Sequence, residues 1–333
     1  MNKPIKVGII GCGKISQTRH LPEYHENPNC IVMAVADSNI GRAQEIGNTF
    51  KIPYIYSDWK TLLSNKEIDA VSICTPNSLH AKIAKQALLA NKHVLVEKPM
   101  AVNQSEAMKM VETASRSNKL LMVGHNQRLI PVHIRAKELI ESDILGKVVG
   151  FSTSFQHPGP EYWSVEGEKN WFYDKEQSYF GVVGDLAIHK IDLLQWILDQ
   201  EIKSTQMFSH RFKKKGEVDD QAVIIVKMMS GTLGTIQVSW NNPIQDHRTI
   251  FYGEKGTLIL GETHFGITVH LENGETIKEE CIPKERSDGS LSSGIIDHFI
   301  NGIERGDVGP LSGSEALASM NVIFDLYGSS IQN

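Results

Sequence analysis

Lys6-Val7-Gly8-Ile9-Ile10-Gly11-Cys12-Gly13-Lys14-Ile15-Ser16 is the stretch on which the fold turns. A short apolar run, strand-like in length and composition, meets a glycine-rich turn, and a helical stretch follows. Gly11 permits the tight turn, and Gly13 lets the backbone approach a pyrophosphate. The amides of this loop, with Cys12, Lys14 and Ile15, sit at a helix N-terminus, where anions are favoured. Ser16 stands in the third glycine position and is small enough to keep helix and strand close. Ile31-Val32-Met33-Ala34-Val35-Ala36 reads as the next buried strand and ends at Asp37, at about the offset expected for an acidic ribose ligand. Asp37 can accept from both ribose hydroxyls and would repel a 2′-phosphate, which favours NAD over NADP. Arg42 is the nearest arginine after it.

Outward from this motif, strand and helix signals alternate through residue 125. Tyr54-Ile55-Tyr56 is a short strand, and Ser57-Asp58 opens a helix with capping chemistry. Asp69 to Cys74 is a strand that ends at Thr75-Pro76-Asn77, followed by a helix from His80 to Ala90. Val94-Leu95-Val96 runs into Glu97-Lys98-Pro99, and a helix from Ser105 to Ser117 leads to Leu120-Leu121-Met122-Val123. Near-continuous apolar strands separated by helices predict a parallel sheet covered on both faces, an α/β Rossmann domain over residues 1–125. Such a sheet carries its ligand chemistry at the carboxyl ends of its strands. Lys98 lies at one of these ends, where Pro99 stops the strand. A lysine on the lip of an apolar sheet suits hydrogen bonding or proton transfer.

From residue 126 to 333 the pattern predicts an α+β domain on a large, mainly antiparallel sheet. Val148 to Gln156, Ile202 to Phe212, Gln221 to Met229, Gly234 to Trp240, Thr249 to Tyr252 and Thr257 to Leu260 read as strands. Several of them show the period-2 alternation of a sheet with one wet face. A helix from Asp185 to Leu198 interrupts the set, and helices at about Gly294 to Arg305 and Ser314 to Tyr327 close the chain. Glu161 to Gln177 is a long, aromatic-rich connection of the kind that often carries function.

Composition excludes several classes. The 333 residues are 41% hydrophobic and 22% charged, with a net charge of −5, as in an ordinary soluble globular protein of two domains. Lys213-Lys214-Lys215 is too short for a nucleic-acid footprint, and no run approaches the roughly 20 apolar residues of a membrane span. The four cysteines are scattered and no signal-peptide layout precedes the first strand, so a cytoplasmic location is expected, with neither a disulfide framework nor a zinc ribbon.

The helix Asp185-Leu186-Ala187-Ile188-His189-Lys190-Ile191-Asp192 places Asp185, His189 and Asp192 at i, i+4 and i+7, on one stripe of an otherwise apolar helix. Ionisable groups there must face a partner, a cleft or a metal. Three readings follow: a satisfied structural histidine, a metal site, and a catalytic base. Nothing else in the chain resembles a metal cage, and no metal is expected. Histidine suits a base because its pKa is near neutrality.

Taken in order, the Gly11-Cys12-Gly13 turn, Asp37, Cys74-Thr75-Pro76-Asn77, His80, Glu97-Lys98-Pro99, Gly124-His125-Asn126-Gln127-Arg128 and Asp185-Leu186-Ala187-Ile188-His189 resemble the glucose–fructose oxidoreductase, inositol dehydrogenase and rhizopine catabolism (Gfo/Idh/MocA) family. The resemblance covers essentially the whole chain. It implies NAD as cofactor, with Thr75, Pro76, Asn77, His80, Glu97, Lys98 and Asn126 joining the glycine loop and Asp37 around it. It also implies hydride transfer with a secondary alcohol of a sugar or cyclic polyol, in which Lys98, Asp185 and His189 act together as in inositol 2-dehydrogenases. Lys98, Arg128, His157, Trp163, Asp185 and His189 are then the expected substrate contacts, with Tyr162 and Trp171 as further flat walls. A homodimer or homotetramer associating through the open sheet is implied as well. The chain departs from the family in Ser16 and in Phe180-Gly181-Val182-Val183-Gly184, which keeps fewer glycines than the usual run. An NAD-using glycosidase on the same fold and a non-catalytic nucleotide sensor are the rival expectations. The first lacks the lysine of the Glu-Lys-Pro run, and the second would have lost Lys98 or His189.

Overall fold

The computed structural model describes residues 3–329. Its first half runs β1 (Ile5–Ile10), α1 (Leu21–Glu26), β2 (Cys30–Ala36), α2 (Ile40–Thr49), β3 (Tyr54–Tyr56), α3 (Trp59–Ser64), β4 (Ala70–Ile73), α4 (Asn77–Leu89), β5 (His93–Val96), α5 (Gln104–Ser117) and β6 (Leu121–Val123). The apolar runs pair as a six-stranded sheet in the order β3-β2-β1-β4-β5-β6, parallel throughout. β4 and β6 are buried along their whole length, as strands covered on both faces must be. The helices begin where short polar side chains satisfy free amides: Asn39, Asp58 and Asn103 accept from Arg42 N, Lys60 N and Glu106 N. The strand order reverses between β1 and β4, and a crevice opens there outside the carboxyl ends. This is the expected Rossmann domain.

The second half contains α6 (Pro131–Glu141), β7 (Val148–Gln156), α7 (Lys175–Ser178), α8 (Ile188–Leu198), β8 (Ile202–His210), β9 (Gln221–Met228), β10 (Leu233–Ser239), β11 (Thr249–Gly253), β12 (Gly256–Leu260), β13 (Gly266–Leu271), β14 (Thr276–Glu280), α9 (Ile295–Arg305) and α10 (Gly313–Ser329). Its eight strands lie in the order β14-β13-β12-β11-β7-β10-β9-β8. All pairs are antiparallel except β7 with β10. Buried and exposed residues alternate along β9, and the covered face packs on α6, α8 and α10.

Four elements escaped the pattern reading: α6, α7, β13 and β14. α6 opens on Pro131, whose fixed φ suits the first helical turn as well as it suits a break. β14 is an edge strand with an alternately exposed polar face, and it holds β13 by pairing rather than by burial. The chain also returns to its first half at the end. Ile295, Ile296, Phe299 and Ile300 of α9 share a core with Leu21 and Tyr24, and α10 packs on α5 as well as α8. A cut at residue 125 therefore leaves α9 on the far side of the line from the core it completes.

Candidate active site

One continuous cleft of about 1210 Å³ runs from the β1 turn across the carboxyl ends of the parallel sheet to the covered face of the second sheet. Drug-sized ligands occupy pockets of roughly 300–1,000 Å³, so this one has room for a dinucleotide and a further small molecule. Gly11 turns at φ +94°, and a Cβ there would stand 2.5 Å from Cys74 O. Only glycine fits. A Cβ on Gly13 would meet nothing within 4 Å, so the backbone presents an open cradle to the cleft. Ser16, fully buried, donates to Gly13 O at 2.8 Å and closes the turn. It opens a π-helical turn, Ser16–His20, before α1 begins. Gly13, Lys14 and Ile15 line the cleft; the Cys12 side chain does not. Burial pushes the Cys12 thiol up to about 12, so the residue contributes backbone and an inert thiol.

Asp37 stands on the cleft wall. Its Oδ2 accepts from Cys12 N and its Oδ1 from Asn39 N, both at 2.8 Å, which fixes the carboxylate where β2 ends. Arg42 Nη1 lies 3.8 Å from Asp37 Oδ2, and its Nη2 is 2.9 Å from Glu166 Oε1 in the aromatic-rich connection. The guanidinium is thus held between two carboxylates from different halves of the chain. The open Gly13 cradle, the anchored Asp37 and the size of the cleft fit a dinucleotide. The glycine loop would take its pyrophosphate and Asp37 its ribose.

Thr75, Pro76, Asn77, His80, Glu97, Lys98 and Asn126 all line the same cleft, although several are also tied down elsewhere. Asn77 Nδ2 donates to Ser178 O at 2.8 Å, linking α4 to α7. His80 has one ring nitrogen 2.8 Å from Pro99 O and the other 2.8 Å from Thr75 O. Burial holds its pKa below the ordinary value, and a neutral ring donates to one of these carbonyls at a time. Its side chain clips two strand ends together. Burial pushes the Glu97 carboxyl up, but His20 at 2.9 Å more than offsets it and holds the group at about 2, ionised.

The tertiary structure joins Lys98 and Asp185 although 87 residues separate them. Lys98 Nζ donates to Asp185 Oδ1 at 2.8 Å and to Asp185 O at 2.9 Å. Asp185 Oδ2 accepts from Trp240 Nε1 at 3.1 Å. Two of the three ammonium protons are therefore committed, and the group lies on the cleft wall. His189 lines the cleft as well, with its Nδ1 buried and without a hydrogen-bond partner. Burial, and next the Lys98 ammonium, drive its pKa well below the ordinary value, so the imidazole is neutral near pH 7. Asp185 does not lie in a regular helix with His189. It falls in a π turn, Val183–Ala187, that precedes α8, and its carboxylate serves Lys98 and Trp240 instead of the imidazole. π turns of this kind recur at functional sites. Gly181, before this turn, has φ +50°, and a Cβ would stand 2.5 Å from Asp219 O.

The expectation for Arg128 is corrected. Its Nε and Nη2 form a buried, bidentate pair with Asp192 at 2.8 and 2.7 Å, and Nη1 donates to Pro310 O at 2.8 Å. Neither Arg128 nor Asp192 lines the cleft; the pair fastens α8 to the turn after β6. Asp192, though on the stripe read from the sequence, is turned to this partner. His157 and Trp163 do line the cleft. His157 Nδ1 accepts from Gly159 N at 3.0 Å, and Trp163 packs edge-on to Phe172 with centroids 5.0 Å apart. Pattern reading missed Trp240, whose indole fixes Asp185, and Phe155, whose ring lies 5.8 Å from that of His189. Both sit on ordinary β-strand positions or just after them, where nothing local distinguishes a site residue from a core aromatic. Among the described residues, no group of three or more His, Cys, Asp or Glu could hold a metal ion. No described helix is long and apolar enough to cross a membrane.

A Rossmann sheet with an open phosphate cradle and an acidic ribose site, joined to a domain that brings a neutral histidine beside a lysine, defines a dinucleotide-dependent oxidoreductase. Residues 5–125 match the model of the oxidoreductase family with an NAD-binding Rossmann fold, and residues 133–259 match the Gfo/Idh/MocA C-terminal domain. The chain belongs to the Gfo/Idh/MocA oxidoreductase family, and its first domain is NAD-binding. An oxidoreductase of Formosa agariphila is 29% identical over 295 residues, covering 85% of this chain and 90% of that one. A myo-inositol 2-dehydrogenase of Thermotoga maritima is 26% identical over 263 residues, covering 76% and 74%. A levoglucosan dehydrogenase solved in complex with NADH and levoglucosan superposes with a TM-score of 0.86 at 22% identity, covering 99% and 98% of the two chains, which is a likeness of fold.

Proposed function

We propose that this chain is an NAD-dependent dehydrogenase that oxidises a secondary alcohol of a sugar or cyclic polyol of inositol-like size. The observation that carries the reading is the Lys98–Asp185 pair at 2.8 Å, which joins the two halves of the chain beside the neutral His189 on one cleft wall. Bound NAD would supply the hydride acceptor. His189 takes the hydroxyl proton, and its depressed pKa keeps it in the accepting form. Positioned proton transfer of this kind contributes ~10²- to 10⁴-fold. Lys98 directs its remaining N–H at the same oxygen as negative charge develops, a donor that needs no reorganisation because Asp185 already holds it. Asp185 is thereby a positioning residue for Lys98, and Trp240 holds Asp185. His157 and Trp163 are the remaining substrate contacts in this reading. The names of the inositol and levoglucosan dehydrogenases among its relatives support the substrate class. The reading extends to a cytoplasmic homodimer or homotetramer. Phe208, Val223, Ile225 and Leu233, exposed together on the outer face of the second sheet, supply the contact, and light scattering tests it. The enzymatic reading is tested by following NADH formation with a panel of inositols, pyranoses and sugar acids. Sustained NADH production with at least one polyol is expected. Tight NAD binding without turnover on any of them would overturn it.

A further inference from the structure

The cleft has two chemically different ends. The carboxylates that line it are Asp37, Asp58, Glu97, Glu166 and Asp185, all at the dinucleotide end or paired with Lys98. The wall built by the second sheet and the adjoining face of α8 contributes Phe155, Lys190, Gln245, His247 and His264 and no carboxylate. Lys190 is the unusual member. It follows His189 in the chain, is only 3% exposed, and enters no ion pair with any described residue. Its Nζ donates to His247 O at 3.1 Å and to Thr249 Oγ1 at 3.3 Å, and it lies 5.8 Å from the centre of the Phe155 ring. Thr249 Oγ1 is already engaged with Thr153 Oγ1 at 2.6 Å. The acid with most influence on Lys190, Asp246, is bound by Arg248 Nε and Nη2 at 3.0 and 3.1 Å.

A buried ammonium with only neutral acceptors is costly and calls for an anion. Burial lowers the Lys190 pKa to about 8, so the group is still largely charged near neutrality. The same Phe155 ring lies 5.8 Å from the His189 ring and 4.4 Å from that of His247. The cation and the base are thus neighbours of one aromatic surface in one cleft. We propose that Lys190 is a substrate-binding residue that pairs with a carboxylate on the substrate, and that the substrate is an acidic sugar of the uronate or aldonate class. This rests on the dehydrogenase reading above and narrows it. The hydroxyl to be oxidised meets His189 and Lys98 while the carboxylate reaches Lys190, with the Gln245 amide at the mouth.

The test compares kcat/KM with NAD for matched pairs: D-glucuronate against D-glucose, D-galacturonate against D-galactose, and D-gluconate against D-glucitol. The wild-type enzyme should favour the acid of at least one pair by 10-fold or more, and Lys190→Met should reduce that acid-to-neutral ratio by 10-fold or more. Gln245→Glu, on an exposed loop where folding is not at stake, should lower the same ratio by setting a like charge at the mouth. Equal or greater efficiency with the neutral partners, or a loss in Lys190→Met that is the same for acid and neutral sugar, would overturn the proposal and leave the dehydrogenase reading intact. If neither these compounds nor the inositols and pyranoses of the wider panel yield NADH, the dehydrogenase reading falls. Calorimetric titration of the NADH-loaded protein with the three acids then decides the anion site separately: binding weakened 10-fold or more by Gln245→Glu supports it, and no binding overturns it.

Discussion

Lys98 has two of its three protons on Asp185, and the consequence is a stiff donor. Replacing it by Met removes the group that meets the developing alkoxide while leaving the glycine loop and Asp37 untouched. Turnover should fall by ~10²- to 10³-fold, the usual effect of losing one positioned donor, with NAD affinity nearly unchanged. Steady-state kinetics paired with a cofactor titration checks this; near wild-type turnover would remove Lys98 from the chemistry. Trp240 acts one step further out. Trp240→Phe keeps the ring and deletes the N–H to Asp185 Oδ2. Hydrogen bonds to charged groups contribute about 1.5–3 kcal/mol, so kcat should drop by roughly 10-fold or more while KM for NAD stays put. A fall in Tm with kcat intact would mean that the indole serves packing alone.

At the scale of elements, α8 and the π turn before it decide where everything points. The turn carries Asp185 to Lys98, and the next turns carry His189 to the cleft and Asp192 to Arg128. The Arg128–Asp192 pair is buried on both sides, with side chains 6% and 2% exposed, and it fastens this helix to the end of the parallel sheet. Removing one partner of such a pair strands a buried charge and costs about 3–5 kcal/mol. Arg128→Met should therefore lower unfolding stability in urea by about that much, with dinucleotide affinity retained in the protein that remains folded. A stability unchanged within error would refute the fastening role.

Several buried histidines are held uncharged, which gives the whole molecule an acid sensitivity that its carboxylates alone would not produce. Burial, with help from Lys119, lowers His93 to about 4. Burial and then Lys190 lower His133 to about 3 and His247 to about 4. The unfolded chain binds these protons near the ordinary value of about 6.5, so between that pH and about 3 it binds more protons than the native state. Stability is then fully present above pH 6.5 and is lost as pH falls through this window. Thermal midpoints should decline steadily as pH falls from 6.5 to about 5.5, above the range in which ordinary carboxylates take up protons. A midpoint that stays flat over that range would contradict the burial of these rings. The same logic applies to His189, whose pKa lies well below the ordinary value. The rate of alcohol oxidation should show no histidine-limited fall between pH 8 and 6.5.

The sequence by itself determined the first domain almost completely. Apolar runs such as Val94 to Val96, the glycine turn and the capping residues Asp58 and Asn39 act within a few positions of themselves, and local chemistry is what a linear pattern records. It also determined which ionisable residues stood out, because Lys98, Asp185 and His189 interrupt apolar stretches. What each of these side chains touches was decided only by the tertiary structure. Arg128 and Lys98 look alike along the chain, each a cation just past a strand. One is spent on Asp192 from the far side of the fold and the other stands on the cleft wall. Trp240 and Lys190 gain their places from β-strand register and helix docking across 50 or more residues, and Phe155 meets His189 across 34. Partner choice for a buried charge is set by desolvation and proximity in three dimensions, and neither is a property of neighbouring letters.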